Sequence, residues 1–172
     1  MGAPYHNLLS KNDRALMAYV ISVGAGTAAD VFPAKRSGDK TAPCTICWTK
    51  KADPYNYSGT YTAQASVIVR TLAPVDDGQA AEAPRLDSEQ RVAKTFDAFH
   101  MDLDQAGDKL GEDVTNAARA LAASDPVNHG DLEDYTALNV TVKSVEAGFE
   151  ENTEAWNDMI NLEIVCCPSN VS

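Results

Sequence analysis

At 172 residues and 44% hydrophobic, the chain is long enough to bury roughly two-thirds of its unfolded surface and too short for two comfortable cores, so one domain over residues 1–172 is expected. A formal charge of −11 disfavours a surface built to neutralise phosphates, which needs clustered Lys and Arg. No run approaches the ~20 apolar residues that cross a bilayer, and the N-terminus lacks the basic-then-apolar order of a secretory signal. The expectation is a cytoplasmic product with no membrane partner and no direct nucleic-acid binding.

The first predicted element is a helix from Ser10 to about Gly24, with Ser10 or Asn12 as cap, Asp13 in the first turn and a stripe of Leu16, Val20 and Val23 at i, i+4, i+7. A Gly, Pro and Lys segment, 24–43, leads to a strand from Cys44 to Lys50, in which Cys44, Ile46 and Trp48 alternate with Thr45, Cys47 and Thr49. After the loop 51–59, residues 60–72 alternate again, with Tyr61, Ala63, Ala65, Val67 and Val69 opposite Thr62, Gln64, Ser66 and Arg70. The two strands read as an antiparallel pair.

A loop at 74–84 precedes a helix capped by Asp87 or Ser88, striped by Val92, Phe96, Phe99 and Leu103. A further helix, Leu110 to Ala123, carries Leu110, Val114, Ala117, Ala118 and Leu121 on one face and stops at Ser124-Asp125-Pro126. Residues 125–134 read as a loop. Leu138, Val140 and Val142 then alternate with Asn139, Thr141 and Lys143, a turn is expected at 147–152, and Ile160, Leu162, Ile164 and Cys166 alternate with Asn161, Glu163 and Val165. The order α, β, β, α, α, β, β predicts an α+β fold, an antiparallel sheet with helices packed on one face.

Cys44 and Cys47 lie three apart on a strand and point to opposite faces, and the adjacent Cys166 and Cys167 also diverge. Reduced, buried or half-buried thiols are expected rather than a metal or disulfide site. His6, His100 and His129 have no metal-ligand spacing, no serine sits in a nucleophile elbow, and Asp102 and Asp104 flank Leu103 on the solvent side of a helix. The glycines of Gly24-Ala25-Gly26-Thr27-Ala28-Ala29 match the loose pattern of a dinucleotide-binding turn, which makes a nucleotide-dependent enzyme one alternative. Pro33 follows Gly26 after seven residues, and no strand ending in a ribose-binding acid follows, so a helix-ending turn is the expected reading and no cofactor is expected.

Three stretches carry a resemblance: a helix leading through Val31-Phe32-Pro33 to the Pro43-Cys44 strand; the hairpin return from Ser58 to Arg70; and Ala147 to Trp156 followed by a strand ending Cys166-Cys167-Pro168. Together they resemble the tail terminator family of long-tailed bacteriophages. The resemblance implies an α+β fold and a hexameric ring that caps the tail tube and joins it to the head. It implies as partners further copies of the chain, the tail tube protein and a head-proximal neck or connector protein, with genome DNA passing through the lumen without specific binding. The location implied is the tail neck of the virion, after assembly in the host cytoplasm. Another head-tail connector or head-completion protein is the neighbouring alternative, and a monomeric inhibitor of a host enzyme is a third class.

The aromatics Trp48, Tyr55, Tyr57 and Trp156 stand near loops or strand ends and are expected at subunit interfaces. The acids Asp76, Asp77, Glu150, Glu151 and Glu154 of the connecting segments are expected to face the channel.

Overall fold

The computed structural model describes residues 4–33, 44–55, 59–72, 82–99, 107–150 and 155–167, with backbone alone at 4–7, 72, 82–89, 107–108, 149–150 and 155. In chain order the elements are α1 (Pro4–Ser22), β1 (Val31–Pro33), β2 (Cys44–Pro54), β3 (Tyr61–Leu72), α2 (Glu82–Phe99), α3 (Gly107–Ser124), α4 (Pro126–His129), a 3-10 turn (Gly130–Asp134), β4 (Thr136–Glu150) and β5 (Ala155–Cys167). The strands form one sheet in the order β1-β2-β3-β5-β4. It is antiparallel except for β1, which pairs parallel with β2 through Val31 and Thr45. The fold is α+β, as the sequence predicts. The short strand β1 is the element the periodicity misses, because three residues ending in proline carry no alternation.

The expected inward sets of β3 and β5 hold. Ala63, Ala65, Val67, Ile160, Leu162, Ile164 and Cys166 are buried in one core with Leu16 and Val20 of α1, Phe99 of α2 and Val114 and Ala118 of α3. All three long helices thus lie on the same face of the sheet.

Several boundaries differ, each for a physical reason. Helix α1 begins at Pro4, so Ser10, Asn12 and Asp13 sit inside it and do not cap it. Asn12 and Asp13 are buried. Asn12 Oδ1 accepts the Tyr135 hydroxyl at 2.5 Å, and Asp13 Oδ1 accepts the Thr49 N–H at 2.6 Å. The residue types that suggest a cap are here tertiary partners.

The end of α1 is as expected. Gly24 adopts φ 77°, its N–H bonds the Ile21 carbonyl and the Ala25 N–H bonds the Val20 carbonyl, which is a Schellman C-cap. Val23 lies at that cap and is 42% exposed, so it leaves the stripe. Helix α2 starts at Glu82, which places Asp87 and Ser88 within it and Pro84 in its first turn, where a missing N–H is harmless. Leu103 lies outside the described residues. The segment 125–134 is α4 and the 3-10 turn, not a plain loop. Asp125 caps α4 by accepting the Asn128 N–H.

Strand β4 continues through Ala147 and Gly148 to Glu150, where a turn was expected to begin. Its register slips between Ala137 and Asn139 and between Val142 and Ser144. Each slip is a bulge that inserts one residue. The first turns Leu138 outward, 45% exposed, while Ala137 and Val140 face the core. A strict two-residue alternation through Leu138 therefore fails there.

Candidate functional site

The thiols are the first chemistry to place. Cys47 lies in the main core, whereas Cys44 packs with Ile46 and Ile68 on the opposite sheet face beside Phe32, Trp48 and Met159. All four cysteines are free, and only Cys167 is not fully buried. Burial, reinforced by the Asp13 carboxylate, pushes the Cys47 thiol far up, and burial raises Cys166 to about 12. Both stay protonated at neutral pH, so they pack as small apolar groups and are poor nucleophiles.

The glycine turn forms one wall of a cleft of about 350 Å³ lined by Gly24, Gly26, Thr27, Asp30, Arg91 and Lys94, among others. The turn runs from a helix into a strand, the reverse of a dinucleotide-binding turn. It presents the carbonyl end of α1, the negative end of a helix dipole, which disfavours a pyrophosphate. Its side chains are engaged within the fold: Arg91 Nη2 reaches Asp30 Oδ2 at 2.5 Å, and its Nη1 donates to Thr45 Oγ1 at 3.2 Å. A Cβ on Gly26 would collide with the Val31 side chain. The glycines thus serve a helix cap and a close packing contact, and the nucleotide alternative loses its structural premise.

The face of the sheet away from the helices holds a second cleft, of about 320 Å³, lined by Lys50, Gln64, Lys143, Ser144, Asn161 and Glu163 with flanking backbone. A polar ladder fixes its floor. Ser66 Oγ donates to Asn161 Oδ1 at 2.6 Å, and Asn161 Nδ2 donates to Ser144 Oγ and Glu146 Oε2, both at 2.9 Å. The Lys50 ammonium lies 5.7 Å from the Trp48 ring, and Lys143 lies 3.8 Å from Glu163. Both lysines sit where the ladder slips, Lys50 between Thr49 and Lys51 and Lys143 between Val142 and Ser144. Strand alternation already puts both on this face, Lys50 in step with Cys44, Ile46 and Trp48 and Lys143 in step with Asn139 and Thr141. What the sequence does not show is the strand order that brings β2 and β4 to the two sides of one cleft.

The sheet ends in an exposed hairpin. Among the described residues β4 pairs only with β5, and residues 143–148 are exposed throughout. Val145 and Trp156 belong to the helix-side register, opposite Ile160 and Thr71, and remain 54% and 41% exposed. Of the four aromatics expected at interfaces, Tyr55 and Trp156 are exposed, Trp48 is half-buried in the open-face cluster, and Tyr57 lies outside the described residues. Trp48 and Trp156 are on opposite faces, so the four do not form one patch. Asp76, Asp77, Glu151 and Glu154 lie outside the described residues, as does the side chain of Glu150.

Compared with models of known protein families and with curated proteins, the chain matches none. Among the described residues no group of three His, Cys, Asp or Glu side chains could hold a metal ion, and no helix is long and apolar enough to cross a membrane. Among the described residues the most exposed large apolar side chain is one the sequence reading passed over. Val127, on α4, is 91% exposed between Pro126 and Asn128. A lone valine in a polar segment was the available signal.

Proposed function

We propose that the chain is a non-enzymatic structural subunit that assembles with copies of itself, as a tail terminator does when its ring caps a tail tube. The observation that supports this reading is the β4–β5 hairpin. Among the described residues its outer strand pairs with β5 alone over fifteen residues, and Val145 and Trp156 are about half exposed on the face that the rest of the fold covers with helices. An edge strand with apolar residues beside it is a surface that another chain completes. The short β1 at the other edge offers no comparable length.

In this reading the ring is a hexamer, its neighbours are the tail tube protein and a head-proximal neck protein, and DNA passes the acidic lumen without being held. The test is native mass and negative-stain imaging of the purified protein, alone and with tail tubes. A closed ring several times the 18.4 kDa of one copy, seated on tube ends, is the expected result. A strict monomer at every concentration that never joins tubes would overturn the proposal.

A further inference from the structure

The outer strand β4 has two kinds of edge. Between Thr136 and Ser144 its register slips twice, and bulges of this kind turn an edge away from a further strand. From Ser144 to Glu150 it runs against β5, from Asn161 back to Ala155, without a slip, and most of the exposed run 143–148 lies here. A regular exposed edge is a template on which another strand adds through main-chain hydrogen bonds.

One charged side chain stands on the helix-side face of this stretch. Asp158 of β5 lies in the ladder between Val69 of β3 and Ala147 of β4, and strand alternation puts Trp156 and Ile160 on the same face before and after it. The carboxylate is half-buried. Among the described residues nothing donates a hydrogen bond to it or pairs with it, and burial alone holds its pKa above the ordinary value. The described side chains that flank it from the adjoining strands, Val69 and Thr71 of β3 and Val145 and Ala147 of β4, are uncharged. Of the helices, α2 packs on β3. Its Arg91 reaches Thr45, two strands or roughly 10 Å along the row from Asp158, and is already paired with Asp30, while its Lys94 and Asp97 are exposed. Helix α3, with Lys109, Glu112, Asp113 and Arg119, meets β4 at its far end, where Gly111 approaches Ala137 and Arg119 reaches Thr136.

A carboxylate in this place limits what can cover the hairpin. A strand laid along residues 144–150 extends the sheet, and its own helix-side residues close over Val145, Trp156 and Asp158. Water then leaves Asp158, and a buried charge without a partner is costly. We propose that Asp158 guards the hairpin, holding the regular edge of β4 closed to the same edge of a second copy until the carboxylate is neutralised. Inward-pointing charges are one means by which sheet proteins blunt an exposed edge. A second copy is the neighbour on which the guard acts most strongly, because both edges bring an Asp158 and the described part of that face brings no cation to meet it. The guard rests on the hairpin contact of the assembly proposed above and adds the condition under which that contact forms.

Asp158→Asn tests this, since it removes the charge and keeps the shape. Thermal unfolding is the folding control, and loss of an unpaired half-buried charge should leave the unfolding temperature at or slightly above that of wild type. At pH 7.5, sedimentation over a range of concentrations should show D158N associating about tenfold more tightly than wild type or better. Covering Asp158 favours its protonated form, so association takes up a proton, and wild type should gain on D158N as the pH falls from 7.5 to 5. Val145→Lys in the D158N chain puts a charge back on the same face at an exposed position and should return association to the wild-type level. A D158N protein that associates where wild type does not is the strongest form of the expected result. If wild type assembles and D158N assembles no more tightly, the guard is wrong while the assembly reading stands. Weaker assembly of D158N means that a neighbour's cation meets the carboxylate, which likewise overturns the guard. So does a gain that V145K leaves untouched, or one that is independent of pH. Wild type and D158N both monomeric at every concentration, with and without tubes, would remove both readings together.

Discussion

Two polar residues in the middle of α1, Asn12 and Asp13, are buried because each meets a partner across the core: the Tyr135 hydroxyl and the Thr49 N–H. A buried polar group without such a bond costs on the order of 1–3 kcal/mol, so these contacts fix which face of α1 turns inward. The ion pair Asp30–Arg91 plays a related part at the rim. Burial alone would raise the Asp30 pKa, but the Arg91 hydrogen bond and charge, with the Thr27 N–H, outweigh it and hold the carboxyl below its ordinary value. A carboxyl with a depressed folded pKa contributes stability above its unfolded pKa of about 3.9, and that stability is lost as pH falls through the folded value. The difference in unfolding free energy between wild type and Asp30→Asn should therefore be constant near neutrality and shrink below about pH 4. Urea titrations from pH 3 to 7 measure it, and a difference independent of pH would show that the pair contributes nothing.

At the scale of elements, α3 approaches β4 as closely as it does because residue 111 has no side chain. A Cβ there would stand 2.8 Å from the Ala137 carbonyl oxygen and 3.0 Å from the Asn139 N, both backbone atoms next to the first bulge. The neighbouring Thr115 hydroxyl ties the same junction by donating to the Gly111 carbonyl at 2.8 Å and accepting the Ala137 N–H at 2.8 Å. Alanine is the better helix former by about 1 kcal/mol, yet the clash with rigid backbone should dominate. Gly111→Ala is expected to lose about 1–3 kcal/mol net, the usual cost of overpacking. Gly148→Ala on the exposed end of β4, whose nearest neighbour would be 3.9 Å away, should be close to neutral. Equilibrium denaturation of the two variants decides this, and a G111A protein as stable as wild type would mean that the helix shifts freely on the sheet.

For the whole molecule, the proposed assembly gives the net charge of −11 a consequence. If copies surround a channel, the acids of the connecting segments repel the phosphates that pass and prevent a salt-dependent attraction. If the acids line the channel of the proposed ring, lysine at Asp76, Asp77, Glu150 and Glu151 is expected to leave that ring assembled. Genome ejection from particles carrying this variant should slow at low salt and recover as screening shortens the reach of each charge to about 10 Å at 0.1 M. Particles that eject at the wild-type rate at every salt concentration would leave these acids with a role in solubility alone.

Local chemistry in the sequence was enough to read the α+β class, the inward sets of β3 and β5, the stripe of α3 and the glycine stop of α1. Each depends on the period of a helix or strand, or on the positive φ at Gly24, and these are properties of a residue and its near neighbours. The tertiary structure decided the rest. The cap-like Asn12 became a core partner of a tyrosine 123 positions away, and the first bulge of β4 moved Leu138 out. The pairing of strands distant in sequence set Lys50 and Lys143 on one cleft and put Trp48 and Trp156 on opposite faces. Burial and register are long-range quantities, fixed when the sheet closes on the helices, and a one-residue slip reverses every side chain beyond it. Periodicity along the chain therefore names the faces, while only the assembled sheet determines which face meets the helices and which stays open.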